Sequence, residues 1–158
     1  MQVQSVQEAL FLACEMERGA ARLYERALML PRDPERENET LRAGLLRMRG
    51  DEERHLTQFQ NLYQGLEEPE ERRLTLSAVA DGLLFEGGLM GAVRGGLLKD
   101  VPSMLRLASD AEKKAAETYR AFAANCRDAE ARAMLLGIAG EESSHLAELL
   151  SWLDDITA

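Results

Sequence analysis

The sequence predicts an all-α fold, a four-helix bundle made of two antiparallel helical hairpins joined by a long crossover. Three observations carry that expectation. Ala, Leu, Glu and Arg dominate the composition while aromatic residues make up only 5%, a balance that favours helices over sheets. Apolar residues recur at alternating steps of four and three along four segments, the spacing of one buried helix face. The second half of the chain also repeats the first. Glu17-Arg18-Gly19-Ala20-Ala21-Arg22-Leu23-Tyr24 aligns with Glu112-Lys113-Lys114-Ala115-Ala116-Glu117-Thr118-Tyr119, and a helix carrying acidic-Glu-x-x-His-Leu follows each match. A hairpin written twice implies a pseudo-twofold axis through the core.

The first helix is expected from about Ser5 to Leu30, with Leu10, Cys14, Glu17, Ala21, Tyr24 and Leu28 on its inner face. Pro31-Arg32-Asp33-Pro34 ends it. Asp33 suits the N-cap of a second helix and Pro34 its first turn, where a missing N–H costs nothing. That helix should reach about Gln64, with Leu41, Leu45, Met48, Glu52, His55, Phe59 and Leu62 inside. The short connection makes these two helices antiparallel neighbours, a first hairpin over about 5–64.

Residues from about Gly65 to Lys99 read as the crossover. Glu67-Glu68-Pro69-Glu70-Glu71 reads as a solvated charge run, and Leu74, Leu76, Val79, Leu83 and Leu84 suggest a short helix. So long a segment without structure is rare in a compact domain, so it should travel the length of the bundle, partly helical and packed on its outside. Its glycines could alternatively form a hinge that swaps helix pairs between two chains.

Asp100 and Pro102 open a third helix to about Asn125, with Leu105, Ala108, Glu112, Ala115, Tyr119 and Phe122 inside. Asp128 caps a fourth to about Asp154, with Leu135, Ile138, Glu142, His145, Leu149 and Trp152 inside, which gives a second hairpin over about 100–157. Gly137 and Gly140 weaken that helix by up to about 1 kcal/mol each relative to Ala and are expected to permit close packing.

A chain of 158 residues fits one domain with a proper core. Its net charge of −9 argues against general affinity for nucleic acid or anionic membrane. Cys14 and Cys126 make no disulfide framework and no thiolate metal site, and Cys14 suits a small core position. No uncharged apolar run approaches the roughly 18 residues of a membrane span. Glu8, Glu15 and Glu17 fall where a secretory leader needs an apolar core, so a cytoplasmic protein is expected.

Six polar residues fall on inward faces: Glu17, Glu52, His55, Glu112, Glu142 and His145. Three residues of α-helix rise roughly 4.5 Å and turn about 300°, so the Glu and the His of each Glu-x-x-His reach one point. A carboxylate and an imidazole aimed together suit iron, manganese or zinc. Four carboxylates in a low-dielectric core repel one another, whereas two divalent cations balance them and leave both imidazoles neutral. Glu52 and Glu142 are expected to bridge the metals, Glu17 and Glu112 to be terminal, and His55 and His145 to bind one metal each. Oxidation to a diferric pair adds positive charge that needs an anionic oxygen bridge, which makes such a site competent toward dioxygen or peroxide. Tyr24 and Tyr119, two turns from a ligand in both halves, are expected to hydrogen-bond ligand carboxylates. Asp51, Glu53 and Glu141 point about 100° away and are expected in solvent.

The pattern of one Glu on each of two helices and Glu-x-x-His on the other two resembles the ferritin-like superfamily. The Glu-to-Tyr spacing, the Asp-Glu-x-x-His form and the duplicated hairpins look most like rubrerythrins. That resemblance covers all four helices and implies a di-iron oxidoreductase reducing hydrogen peroxide, or dioxygen, at two iron ions, with manganese or a mixed pair as alternatives. The chain lacks the four cysteines of a rubredoxin domain, so the electrons should come from a separate donor protein such as a rubredoxin. Rubrerythrins also carry a further carboxylate about one turn along the third helix, where this chain has Ala115 and Ala116. A homodimer, with swapped helices as a variant, is expected. The competing readings are an iron-binding ferroxidase for oxidation, transfer or storage, a bundle whose site only stabilises a dimer, and a manganese catalase.

Overall fold

The computed structural model describes residues 1–30 and 39–158, so the expected cap Asp33 and first-turn Pro34 lie outside the described residues. The described residues form six helices and no strand: α1 (Val6–Ala27), α2 (Glu39–Leu62), α3 (Glu68–Ala80), α4 (Gly88–Arg94), α5 (Val101–Ala124) and α6 (Ala129–Thr157). α1 packs on α2 and α5 on α6, and the two hairpins close on each other through α1 with α5 and α2 with α6.

Local chemistry sets the helix ends. The Ser5 hydroxyl accepts from the Glu8 amide at 3.1 Å and starts α1. Asp100 and Ser103 form a reciprocal capping box that starts α5. Asp128 accepts from the Ala131 amide at 2.8 Å and starts α6. The charge run expected in solvent is exposed over Glu67–Pro69 and also forms the start of α3. Pro69 sits in its first turn, and Glu68, Glu70 and Glu71 lie at the end of the helix dipole that favours anions. α3 ends at Ala80, so Leu83 and Leu84 lie beyond it and still pack on the core, while Leu76 faces solvent.

The crossover covers α1. Arg73 of α3 donates to the buried Glu8 at 2.9 Å, and Tyr63 donates to Glu71 at 2.6 Å. With α3 on one side and the bundle on the other, Leu12 and Ala13 have no exposed surface. The unbroken run Ala9-Leu10-Phe11-Leu12-Ala13-Cys14 is the sequence sign of that second covering, since a helix apolar all round is buried all round. Of the expected inner positions, Ala21, Leu28, Leu62 and Trp152 are half-buried, and the others on the four long helices are buried. Gly137 and Gly140 meet nothing, so they do not serve close packing. Gly44 does: a Cβ there would stand 2.2 Å from the Trp152 ring.

The core divides in two. Leu10, Leu12, Phe59, Phe122, Leu135 and Ile138 belong to one apolar cluster, and Leu23, Leu41, Leu45, Met104, Leu105 and Leu149 to the other. Along every long helix the inward polar residues fall between the two clusters.

Candidate metal centre

Glu17 comes from α1, Glu52 and His55 from α2, Glu112 from α5, and Glu142 and His145 from α6. All six are buried, none more than 4% exposed, in a layer sealed by apolar side chains on both sides. The structure thus gathers every one of the six residues singled out in the sequence. They form two overlapping sets: Glu17, Glu52, His55 and Glu142, and Glu52, Glu112, Glu142 and His145. In each set one ligand atom per residue lies within 4.8 Å of the others, and Glu52 and Glu142 belong to both.

The geometry obeys the twofold relation of the repeat. His55 Nδ1 lies 3.1 Å from Glu142 Oε1 and 3.5 Å from Glu17 Oε2. His145 Nδ1 lies 2.9 Å from Glu52 Oε1 and 3.5 Å from Glu112 Oε1. These approaches lack hydrogen-bond geometry: Glu17 Oε2, both Glu52 oxygens, Glu112 Oε2, Glu142 Oε1 and both Nδ1 atoms are buried without a partner. Seven orphaned buried polar atoms in one layer would be costly in a stable core. They face one another rather than solvent, and they are the donor types that bind transition metals. The residues present therefore fit a metal ion.

Electrostatics agrees. Burial, and then the charges of Glu17, Glu112 and Glu142, hold the Glu52 carboxyl well above the usual carboxylate range. Burial, with Glu17 and Glu112 next, does the same to Glu142. Without a cation Glu52 and Glu142 hold protons more tightly than free carboxyls do, and a divalent cation would take the place of those protons.

Two outer layers hold the ligands. Tyr24 donates to Glu112 at 2.5 Å and Tyr119 to Glu17 at 2.8 Å, each crossing from one hairpin to the other. Burial and the neighbouring carboxylates push both phenols well above their ordinary pKa, so they remain donors. Glu141 and Asp51, expected in solvent, are half-exposed and are also histidine partners. Glu141 Oε2 lies 2.9 Å from His55 Nε2, and Asp51 Oδ2 lies 2.9 Å from His145 Nε2. A carboxylate on Nε2 fixes the tautomer that turns the Nδ1 lone pair inward. Arg54, which sequence reasoning passed over, donates to Glu141 at 2.6 Å and reaches Asp51 at 3.5 Å. The acidic residue before each Glu-x-x-His was the available signal, because a position 100° from a helix's own seam faces the neighbouring helix.

Among the described residues, no helix is long and apolar enough to cross a membrane. Residues 5–154 match the family model for the ferritin-like domain. No curated protein and no solved structure matches the chain. The family match runs through all four long helices and both Glu-x-x-His motifs, and with a carboxylate and histidine layer at the centre of the bundle, the chain belongs to the ferritin-like domain family.

Proposed function

We propose that the chain is a di-iron oxidoreductase of the rubrerythrin type, reducing hydrogen peroxide or dioxygen with electrons from a separate donor protein. The observation that carries this reading is the set of orphaned buried ligand atoms, arranged as two sets that share Glu52 and Glu142. In this reading Glu17 and His55 would hold one iron and Glu112 and His145 the other, with Glu52 and Glu142 available to both. A bound iron pair supplies two electrons, one from each Fe(II), which with two protons convert hydrogen peroxide to two waters. The chain's residues prepare the pocket for that chemistry. Glu141 and Asp51 hold the imidazoles in register. Tyr24 and Tyr119 fix the outer carboxylates and carry hydroxyl protons within one hydrogen bond of them. The two apolar clusters close the layer above and below.

The decisive test is anaerobic reconstitution with Fe(II), desalting and metal analysis, followed by stopped-flow oxidation with hydrogen peroxide. Two irons per chain, oxidised by peroxide and re-reduced by a reduced rubredoxin, are expected. Many irons per chain with slow re-reduction would replace this reading by iron oxidation and storage. No retained iron would end both.

A further inference from the structure

A cavity of about 350 Å³ lies between α1, α5 and the turn after α3, and it reaches the polar layer. Glu17, Glu112, Tyr119 and Glu142, all buried, form its inner end. Leu23, Leu84, Phe85, Leu89, Leu107 and Ala111 give it apolar walls, and Arg18, Arg22 and Lys114 stand at its outer end. About 10–15 Å³ of such space holds one water, so the cavity has room for more than ten groups of that size. Hydrogen peroxide and dioxygen need a fraction of that. The volume and the apolar lining are those of a site for a small organic molecule, about 300–1,000 Å³.

Charge selects the class. The chain as a whole carries −9 and five acids line the cavity, but at its outer end Arg18, Arg22 and Lys114 outnumber Glu15 and Asp110. Arg18 is paired with Glu15, and Lys114 with Asp110 at 3.0 Å. Arg22 is exposed and has no ion-pair or hydrogen-bond partner among the described residues. The antiparallel register that sets Tyr24 against Glu112 sets Arg22 at the height of Lys114. The Lys114 ammonium lies 3.5 Å from where a Cβ at Gly82 would stand, so the turn after α3 closes over this end. The inner end already holds a crowd of carboxylates, which repel a further anion and disfavour its burial.

We propose that the cavity binds a small organic anion with an unbranched apolar body of about ten carbons. Its head sits at Arg22 and Lys114, and its body runs past Leu23, Leu84 and Phe85 toward Glu17 and Glu112. This site stands on its own geometry and does not depend on whether the centre turns over peroxide.

Calorimetric titration of the full chain with decanoate, both metal-free and loaded with Fe(II) under anaerobic conditions, tests it. One decanoate per chain is expected in both states. Butyrate, which keeps the head and lacks the body, should bind at least about tenfold more weakly. Arg22→Glu and the cavity-filling Ala111→Trp should each weaken decanoate binding at least about tenfold, with circular dichroism confirming the fold. If Ala111→Trp fails to fold, the surface variant Arg22→Glu and the butyrate comparison decide. The proposal is overturned by no saturable heat up to about 1 mM decanoate, or by equal affinity for decylamine. It is also overturned if decanoate binds only the iron-loaded chain and Arg22→Glu makes no difference, because the head would then lie at the metals.

Discussion

His55 on α2 takes its orienting carboxylate from Glu141 on α6, at 2.9 Å, and His145 on α6 takes its own from Asp51 on α2 at the same distance. Each hairpin thus aims the other's imidazole. Removing an outer partner of a metal-bound histidine typically costs about 10–100-fold in metal affinity. Glu141→Ala and Asp51→Ala should each lower Fe(II) or Co(II) affinity by that factor, measured by competition with a chelator, and leave the helical circular dichroism unchanged. Equal affinity in both variants would show that the imidazoles hold their orientation without help.

Arg54 has no counterpart in the repeat, since Ser144 occupies the equivalent position. Its guanidinium joins both histidine-orienting acids. An exposed ion pair of this kind contributes at most about 1 kcal/mol to stability. Arg54→Ala should therefore change unfolding in urea by no more than about 1 kcal/mol and weaken metal binding unequally at the two positions, His55 more than His145. Co(II) titration followed in the visible spectrum would resolve two steps where the parent shows closer ones.

Glu52 and Glu142 give the metal-free chain a defined pH response. Both have folded-state pKa values raised above those of an unfolded chain, by burial first and neighbouring carboxylates next. Such groups bind protons more tightly when folded, so stability is full below the ordinary carboxylate range and falls as pH rises toward the raised values. Urea midpoints of metal-free protein should decline from pH 5 toward pH 8, by less in Glu52→Gln, and saturating Fe(II) should remove the decline. A midpoint that rises with pH in the metal-free chain would contradict the clustered-carboxylate picture.

Trp152 is the only tryptophan, and it lies against Gly44. Gly44→Ala gains about 1 kcal/mol in helix propensity and drives the ring from its seat, where overpacking costs about 1–3 kcal/mol. The expected result is a red-shifted emission with a net stability loss of up to about 2 kcal/mol. Unshifted emission would mean that α2 and α6 separate to accept the methyl group.

The buried ligand faces were legible because the step of four and three continues through Glu17, Glu52, Glu112 and Glu142 as if they were apolar. A charged residue at an apolar register position is a strong signal in a helix. Asp51 and Glu141 were not legible from one helix at a time: their direction is solvent on an isolated helix and a neighbour's histidine in the bundle. The start of α3, though not its leucine-bearing body, was hidden for a related reason. Its acids read as a solvated run, whereas at a helix start they favour the helix. Gly44 was passed over and Gly137 singled out because a glycine's value depends on what faces it, which periodicity along one helix does not reveal.

The cross-wiring of the centre reaches beyond its ligands. Tyr24, Tyr119, Asp51 and Glu141 all serve the opposite hairpin, and no half contains a finished binding position. A single hairpin expressed alone has one Glu-x-x-His and lacks the carboxylate that would steer it. Two such hairpins brought together about a twofold axis would supply each other with everything missing. The duplicated chain is in this sense a tethered pair, and the crossover holds both members at one another's disposal at any dilution.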